Sequence, residues 1–137
     1  MQANFITTFR VYYEDTDAGG IVYYANYLKF AERARTEYFR SLGCSVSAIA
    51  KQYSVQLVVA SCNSNYKYPA RLEDEIAVHT SVVELARTFI DLRQDIYIKH
   101  TNVLATQQQV RLACVDVATI KPTAIPQDVL IKLQTNI

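Results

Sequence analysis

A chain of 137 residues suits one domain, spanning 1–137, and is long enough to bury a hydrophobic core. Half of it is apolar and a fifth charged, which excludes a disordered or low-complexity protein. Fourteen lysines and arginines against thirteen acidic residues leave a formal charge of +1, so no broad cationic surface for nucleic acid is expected.

No stretch approaches membrane-spanning length, and "MQANFITTFRV" lacks the apolar region of a signal peptide. A cytoplasmic protein without membrane insertion is expected. Cys44, Cys62 and Cys114 are far apart and form no CxxC pair, so they read as reduced, core-filling residues. His79 and His100 stand alone, and no metal site is expected.

The first strand is predicted from about Phe5 to Tyr13, with Phe9, Val11 and Tyr13 on one side and Arg10 and Tyr12 on the other. A turn at Gly19-Gly20 leads into "NYLKFAERARTEYFRSLG", the clearest helix. Tyr27, Phe30, Ala31, Ala34, Tyr38 and Leu42 recur there at three- and four-residue spacing and form one apolar stripe. Asn26 is the predicted N-cap and Gly43 the predicted stop. Lys29, Glu32, Arg33, Thr36 and Arg40 fall on the opposite face. Arg35 lies at the border, where snorkelling of its stem is favoured over an ion pair across a subunit contact.

"SVSAIAKQY" suggests a short helix, and "VQLVVASCNSNYKY" a strand that Pro69 ends. "EIAVHTSVVEL" and "TFIDLRQDIYIKH" follow as strands joined by "ART", a tight hairpin connection. "VLATQQQVRLACVDVATI" is a long strand, and "PQDVLIKL" a terminal helix with proline in its first turn. The order is strand, long helix, then four consecutive antiparallel strands: an α+β domain. One helix covers one face of such a sheet, so a second copy related by a two-fold axis is expected on the remaining surface. A ligand pocket at that junction would be ordinary.

"EDTDAGG" concentrates Glu14, Asp15 and Asp17 where the first strand must turn. Gly19 and Gly20 permit backbone angles closed to other residues and let a ligand approach the main chain. The helix start adds N–H donors and the positive end of a dipole. A carboxylate beside such donors suits acyl transfer, in which the N–H groups stabilise an oxyanion. The competing reading is that these residues are caps, Asx turns and ordinary turn glycines. Asp17 is the catalytic candidate of the two aspartates, and Asp15 is read as structural.

"YYEDTDAGGIVYYANYLKFAERARTEYFRSLG" closely resembles the N-terminal motif of hotdog-fold acyl-CoA thioesterases in the 4-hydroxybenzoyl-CoA thioesterase-like group. Within that group it is most similar to the bacterial Tol–Pal-associated (YbgC-type) branch. The resemblance continues through "YKYPARLEDEI" and "ACVDVATIKPTAIP", almost the whole chain. It implies a hotdog fold, a five-stranded antiparallel sheet wrapped around one long helix. It also implies a homodimer or homotetramer, an acyl-CoA substrate, and no cofactor beyond the coenzyme A of the substrate; acyl carrier protein is a further candidate partner.

Carried over by position, the resemblance makes Asp17 the catalytic carboxylate and the Tyr24 N–H the group that polarises the thioester carbonyl. Tyr13 takes the place of an active-site tyrosine. Many members of the Tol–Pal branch have histidine where this chain has Tyr24, whereas the hydroxybenzoyl branch has tyrosine. A backbone donor survives that exchange; a histidine acid or base does not. Ser61, Asn63, Asn65 and Lys67 alternate along one strand face, which reads either as solvated or, by resemblance, as pocket lining. "ELARTFI" is similar to a loop that contacts the nucleotide end of coenzyme A, which makes Arg87 a phosphate partner and Thr88 a hydroxyl donor.

The expected reaction is hydrolysis of an acyl-CoA thioester, with Asp17 as nucleophile or general base. The rivals are a hotdog-fold hydratase, which wants a histidine that this acidic turn lacks, and a non-catalytic module binding acyl groups or acyl carrier protein.

Overall fold

Alternation in the first strand carries only as far as Arg10. In a computed structural model, which describes residues 4–135, β1 spans Phe5–Arg10, with Phe5, Thr7 and Phe9 half-buried and Ile6, Thr8 and Arg10 exposed. The predicted extension to Tyr13 fails because Asp15 turns the chain. Its Oδ2 accepts the Tyr12 N–H at 2.8 Å, and Tyr13–Asp15 form a 3₁₀ turn. Tyr13 is therefore 82 % exposed and does not share a side with Phe9 and Val11.

The long helix α1 spans Asn26–Ser41 and buries Tyr27, Phe30, Ala31, Ala34 and Tyr38, as the stripe predicts. Phe39 joins them, and Leu42 is half-buried at the helix end. Asn26 is not the N-cap. Ala25 holds that position without a side-chain bond, because the Asn26 amide is drawn instead to Asp15. Gly43 stops the helix with φ +78°, a left-handed angle that suits glycine.

The short helix α2 spans Val46–Tyr53 and starts where the Ser45 hydroxyl accepts the Ala48 N–H. Four strands follow: β2 Val55–Tyr66, β3 Glu75–Leu85, β4 Phe89–Ile98 and β5 Val103–Asp116. The last ends at Asp116 instead of running to Ile120. Asp116 Oδ1 accepts the Ala118 and Thr119 N–H groups and bends the chain, and Ile120 sits at φ +58°. Helix α3, Gln127–Gln134, follows Pro126.

The sheet order is β1-β3-β4-β5-β2, antiparallel throughout. Strands β3, β4 and β5 form a meander, but β2 pairs with β5 and not with its sequence neighbour β3. It therefore lies at an open edge, opposite β1. Five strands around one long helix make the α+β hotdog arrangement.

Two hydrophobic clusters lie beneath α1. One gathers Tyr38, Phe39, Ile90, Leu92 and Leu112; the other gathers Tyr27, Phe30, Val78, Ile96 and Ala105. Buried Thr80, Gln94 and Gln108 are register neighbours on the central strands. Gln94 Nε2 donates to the Ala31 carbonyl at 2.9 Å and to Thr80 Oγ1 at 3.0 Å, while Gln108 Nε2 donates to the Tyr27 carbonyl at 3.1 Å. The two amides thus tie adjacent turns of α1 to adjacent strands. Each bond satisfies a polar group that would be costly to bury alone.

Candidate active site

The acidic turn folds into a tight hairpin. The Asp17 N–H bonds the Ile21 carbonyl at 2.9 Å, the Gly20 N–H bonds the Asp17 carbonyl at 3.1 Å, and the Tyr23 N–H bonds the Asp15 carbonyl at 2.9 Å. Gly20 makes the bend at φ +78°, with open space where a side chain would begin. At Gly19 a Cβ would meet Asp17 Oδ1 at 3.3 Å. The two glycines therefore do different work: Gly20 supplies a backbone angle, and Gly19 leaves room for the carboxylate.

The two aspartates also divide. Asp15 is buried, 7 % exposed, and its Oδ1 accepts Asn26 Nδ2 at 2.9 Å. This is the structural role the sequence predicts. Asp17 is exposed on the single chain and its Oδ1 accepts the Gly19 N–H at 2.8 Å, an Asx turn. Its second oxygen has no hydrogen-bond partner among the described residues.

The N–H groups at the helix start are fewer than a bare helix end would offer. Those of Asn26, Tyr27 and Leu28 bond the carbonyls of Tyr23, Tyr24 and Ala25. Among the described residues, the Tyr24 and Ala25 N–H groups have no acceptor, so the donor assigned by resemblance is open. The Tyr24 ring, 61 % exposed, packs edge-on against Tyr66 with centroids 5.9 Å apart, and Tyr66 also contacts Tyr27. Tyr27 Oη accepts the Ala70 N–H at 3.1 Å, and burial raises its pKa. Ala70 in turn accepts the Val22 N–H, which ties "YPAR" to the hairpin. On another flank Tyr12, Tyr13 and Leu72 line a groove of about 550 Å³.

Sequence reasoning missed Tyr66 because its strand was read through the alternating polar residues. Register settles the faces. Cys62, Ser64 and Tyr66 pair with Val110, Gln108 and Thr106, which are buried under α1. Ser61, Asn63 and Asn65 pair with Arg111, Gln109 and Gln107, so they lie on the face turned away from the helix. Lys67 lies just past the end of β2, where its N–H and that of Tyr68 both bond the Ala105 carbonyl. Cys44 and Cys114 fill the core as predicted, but Cys62 is exposed on the open edge.

Arg87 and Thr88 sit between β3 and β4, at the opposite end of the sheet from Asp17. Strand β3 has 11 residues, so the two ends are about 33 Å apart along it. One chain does not bring these residues together. Arg35 also departs from the snorkelling predicted for it: its Nη1 donates to Gln94 Oε1 at 2.9 Å beneath α1. No helix among the described residues is long and apolar enough to cross a membrane.

Residues 11–133 match the family described as the thioesterase-like superfamily. The chain is 40% identical over 120 residues to the acyl-CoA thioesterase YbgC of Haemophilus influenzae, covering 88% of this chain and 87% of that one. It is 40% identical over 121 residues to the acyl-CoA thioester hydrolase YbgC of Escherichia coli O157:H7, covering 88% and 89%. Among solved structures, a probable thioesterase from Bartonella henselae superposes with a TM-score of 0.85 at 28% identity, over 90% of this chain and all of that one. Fold, motif and relatives agree: the chain belongs to the thioesterase-like superfamily of hotdog-fold enzymes.

Proposed function

We propose that the protein hydrolyses an acyl-CoA thioester to a carboxylic acid and coenzyme A. The observation that carries this reading is the pairing, on the two sides of one hairpin, of an Asp17 oxygen and a Tyr24 N–H that both lack a partner among the described residues. The thioester carbonyl accepts from the Tyr24 N–H, which stabilises the oxyanion as it forms. Asp17 then attacks the carbonyl carbon, the C–S bond breaks, and the thiolate leaves with a mixed anhydride behind it, which water opens. In the alternative route Asp17 takes a proton from water, whose oxygen attacks directly. Single turnover in heavy-oxygen water separates the two where water opens the anhydride at the Asp17 carbonyl, because only that route leaves label in Asp17.

Exposure of Asp17 on one chain is compatible with this chemistry if a second copy closes the site. The 12-residue β2 offers an unpaired edge with Val59 exposed on it. Antiparallel pairing of two β2 strands places the far end of the second sheet beside the Tyr66 end of the first. The second copy's Arg87 and Thr88 then lie on the Asp17 side, where they are proposed to hold the nucleotide end of coenzyme A. Tyr13 is proposed to flank the carboxylate. Ser61, Asn63, Asn65 and Lys67 lie near the same edge and reach a ligand only from the opposite face.

The test is thiol release from a panel of acyl-CoAs, with acyl carrier protein thioesters in the same panel. Release by the wild-type protein and its loss in a folded Asp17→Asn variant support the reading. Undiminished turnover by that variant overturns the assignment of Asp17.

A further inference from the structure

A row of polar side chains crosses the helix-facing side of the sheet and ends at its open edge. Thr80, Gln94, Gln108 and Ser64 stand side by side on β3, β4, β5 and β2. The first three are buried, and Ser64 is half-exposed at the edge. Arg35 reaches from α1 into this row, and its bond to Gln94 Oε1 is the one it makes among the described residues. No carboxylate of those residues lies within 4 Å of its guanidinium. Gln108 Oε1, also in the row, is buried and has no partner among the described residues.

A cation partly withdrawn from water, whose one hydrogen bond is to a neutral amide, is under-compensated. Burial pulls the Arg35 pKa down, and the Glu32 carboxylate one turn away opposes that shift. On its open side Arg35 lines a groove of about 320 Å³ with Glu32, Thr36, Phe39, Leu57 and Val59, running along the β2 edge. The amide row is level with Ala31, seven residues beyond Tyr24, which is about 10 Å along the helix. An acyl chain of about eight carbons, with seven carbon–carbon bonds each advancing about 1.25 Å, covers about 9 Å and leaves the remainder to the carboxylate–guanidinium contact.

We propose that Arg35, held on Gln94, determines specificity by pairing with a carboxylate at the far end of the acyl group. The favoured substrate is then the mono-CoA thioester of a dicarboxylic acid of about eight carbons. This rests on the thioesterase reading, which fixes where the acyl carbonyl sits. The planar guanidinium suits a carboxylate because it offers parallel donors as well as charge. An alkyl chain of equal length desolvates the same guanidinium and returns nothing to it.

The test measures binding without turnover. Calorimetry compares S-octyl-CoA with the thioether of equal length that ends in a carboxylate, on the wild-type protein, Arg35→Met and Arg35→Lys. Wild-type protein is expected to bind the carboxylated thioether at least about tenfold more tightly, as a charge-assisted bond to a partly buried cation would give. Arg35→Met erases that preference and Arg35→Lys keeps part of it. Should Arg35→Met not fold, the wild-type comparison decides alone. Equal binding of the two thioethers overturns the proposal, as it would if a carboxylate of a second copy already fills the guanidinium. A preference that survives in Arg35→Met overturns it too, as does failure of both thioethers to bind. Thiol release from the acyl-CoA panel, with the carboxylated thioester included, is a separate measurement, so loss of the thioesterase reading is told apart from loss of this one.

Discussion

Asn26 donates its amide to Asp15 across the hairpin at 2.9 Å, and the other Asp15 oxygen takes the Tyr12 N–H at 2.8 Å. One buried carboxylate thus joins the end of β1 to the first turn of α1. Asp15→Ala strands two donors and is expected to cost about 3 kcal/mol. Asn26→Ala removes one bond and should cost about 1–2 kcal/mol. Urea denaturation of both variants and the double mutant should show coupling of about 1 kcal/mol, since the residues share one bond.

Asp17 lies outside the core, so its replacement should separate activity from stability. Asp17→Asn keeps a side-chain oxygen for the Asx turn with the Gly19 N–H. Stability is expected to change by less than about 0.5 kcal/mol, while kcat falls about a thousandfold. Thermal denaturation and steady-state kinetics on the same preparation check both.

The two glycines of the hairpin should fail in different ways. Gly20→Ala meets no atom within 4 Å but strains a backbone at φ +78°, so it costs about 1 kcal/mol of stability. Gly19→Ala places its Cβ against Asp17 Oδ1, so it should lower kcat more than Gly20→Ala does while costing less stability. Parallel melting curves and kinetics on the pair would show the inversion.

A lysine in the open edge strand should weaken self-association. Val59→Lys places charge beside the unpaired β2 backbone, a device that discourages strand pairing. Sedimentation equilibrium is expected to show a self-association constant at least about tenfold weaker, with activity falling in step.

Alkaline titration should expose the tyrosine core. Burial pushes the Tyr38 pKa up to about 12 and raises that of Tyr27 as well. Between the ordinary value of 10.0 and the folded value, the native state holds protons that the unfolded chain has lost. The stability these groups contribute is therefore complete below 10.0 and disappears as pH rises through the folded pKa. Tyrosinate absorbance should therefore still be rising above pH 10.0, as Tyr27 and Tyr38 ionise late.

Much of this was legible in the letters because local periodicity reports local burial. The stripe from Tyr27 to Tyr38 is helical at every turn, and Val55, Glu75 and Val103 open strands where alternation begins. Asp15 as the structural partner of Asp17 also follows from the short turn. Long-range pairing was not legible. Nothing in "VQLVVASCNSNY" says that β2 joins β5 at an edge, so the side that carries Ser64 and Tyr66 stayed hidden behind the more conspicuous Ser61, Asn63 and Asn65. The run Gln107-Gln108-Gln109 conceals which amide turns inward, and the Arg35–Gln94 bond spans 59 positions. For the same reason Asn26 looks like a cap until the distant course of its amide is known.

Gln94 and Gln108 grip carbonyls one turn apart on one helix from two neighbouring strands. A screw-like slip of that helix by even one residue would forfeit both grips together, so the rod has a single indexed seat on its platform. The tyrosine amide at its tip inherits that seat.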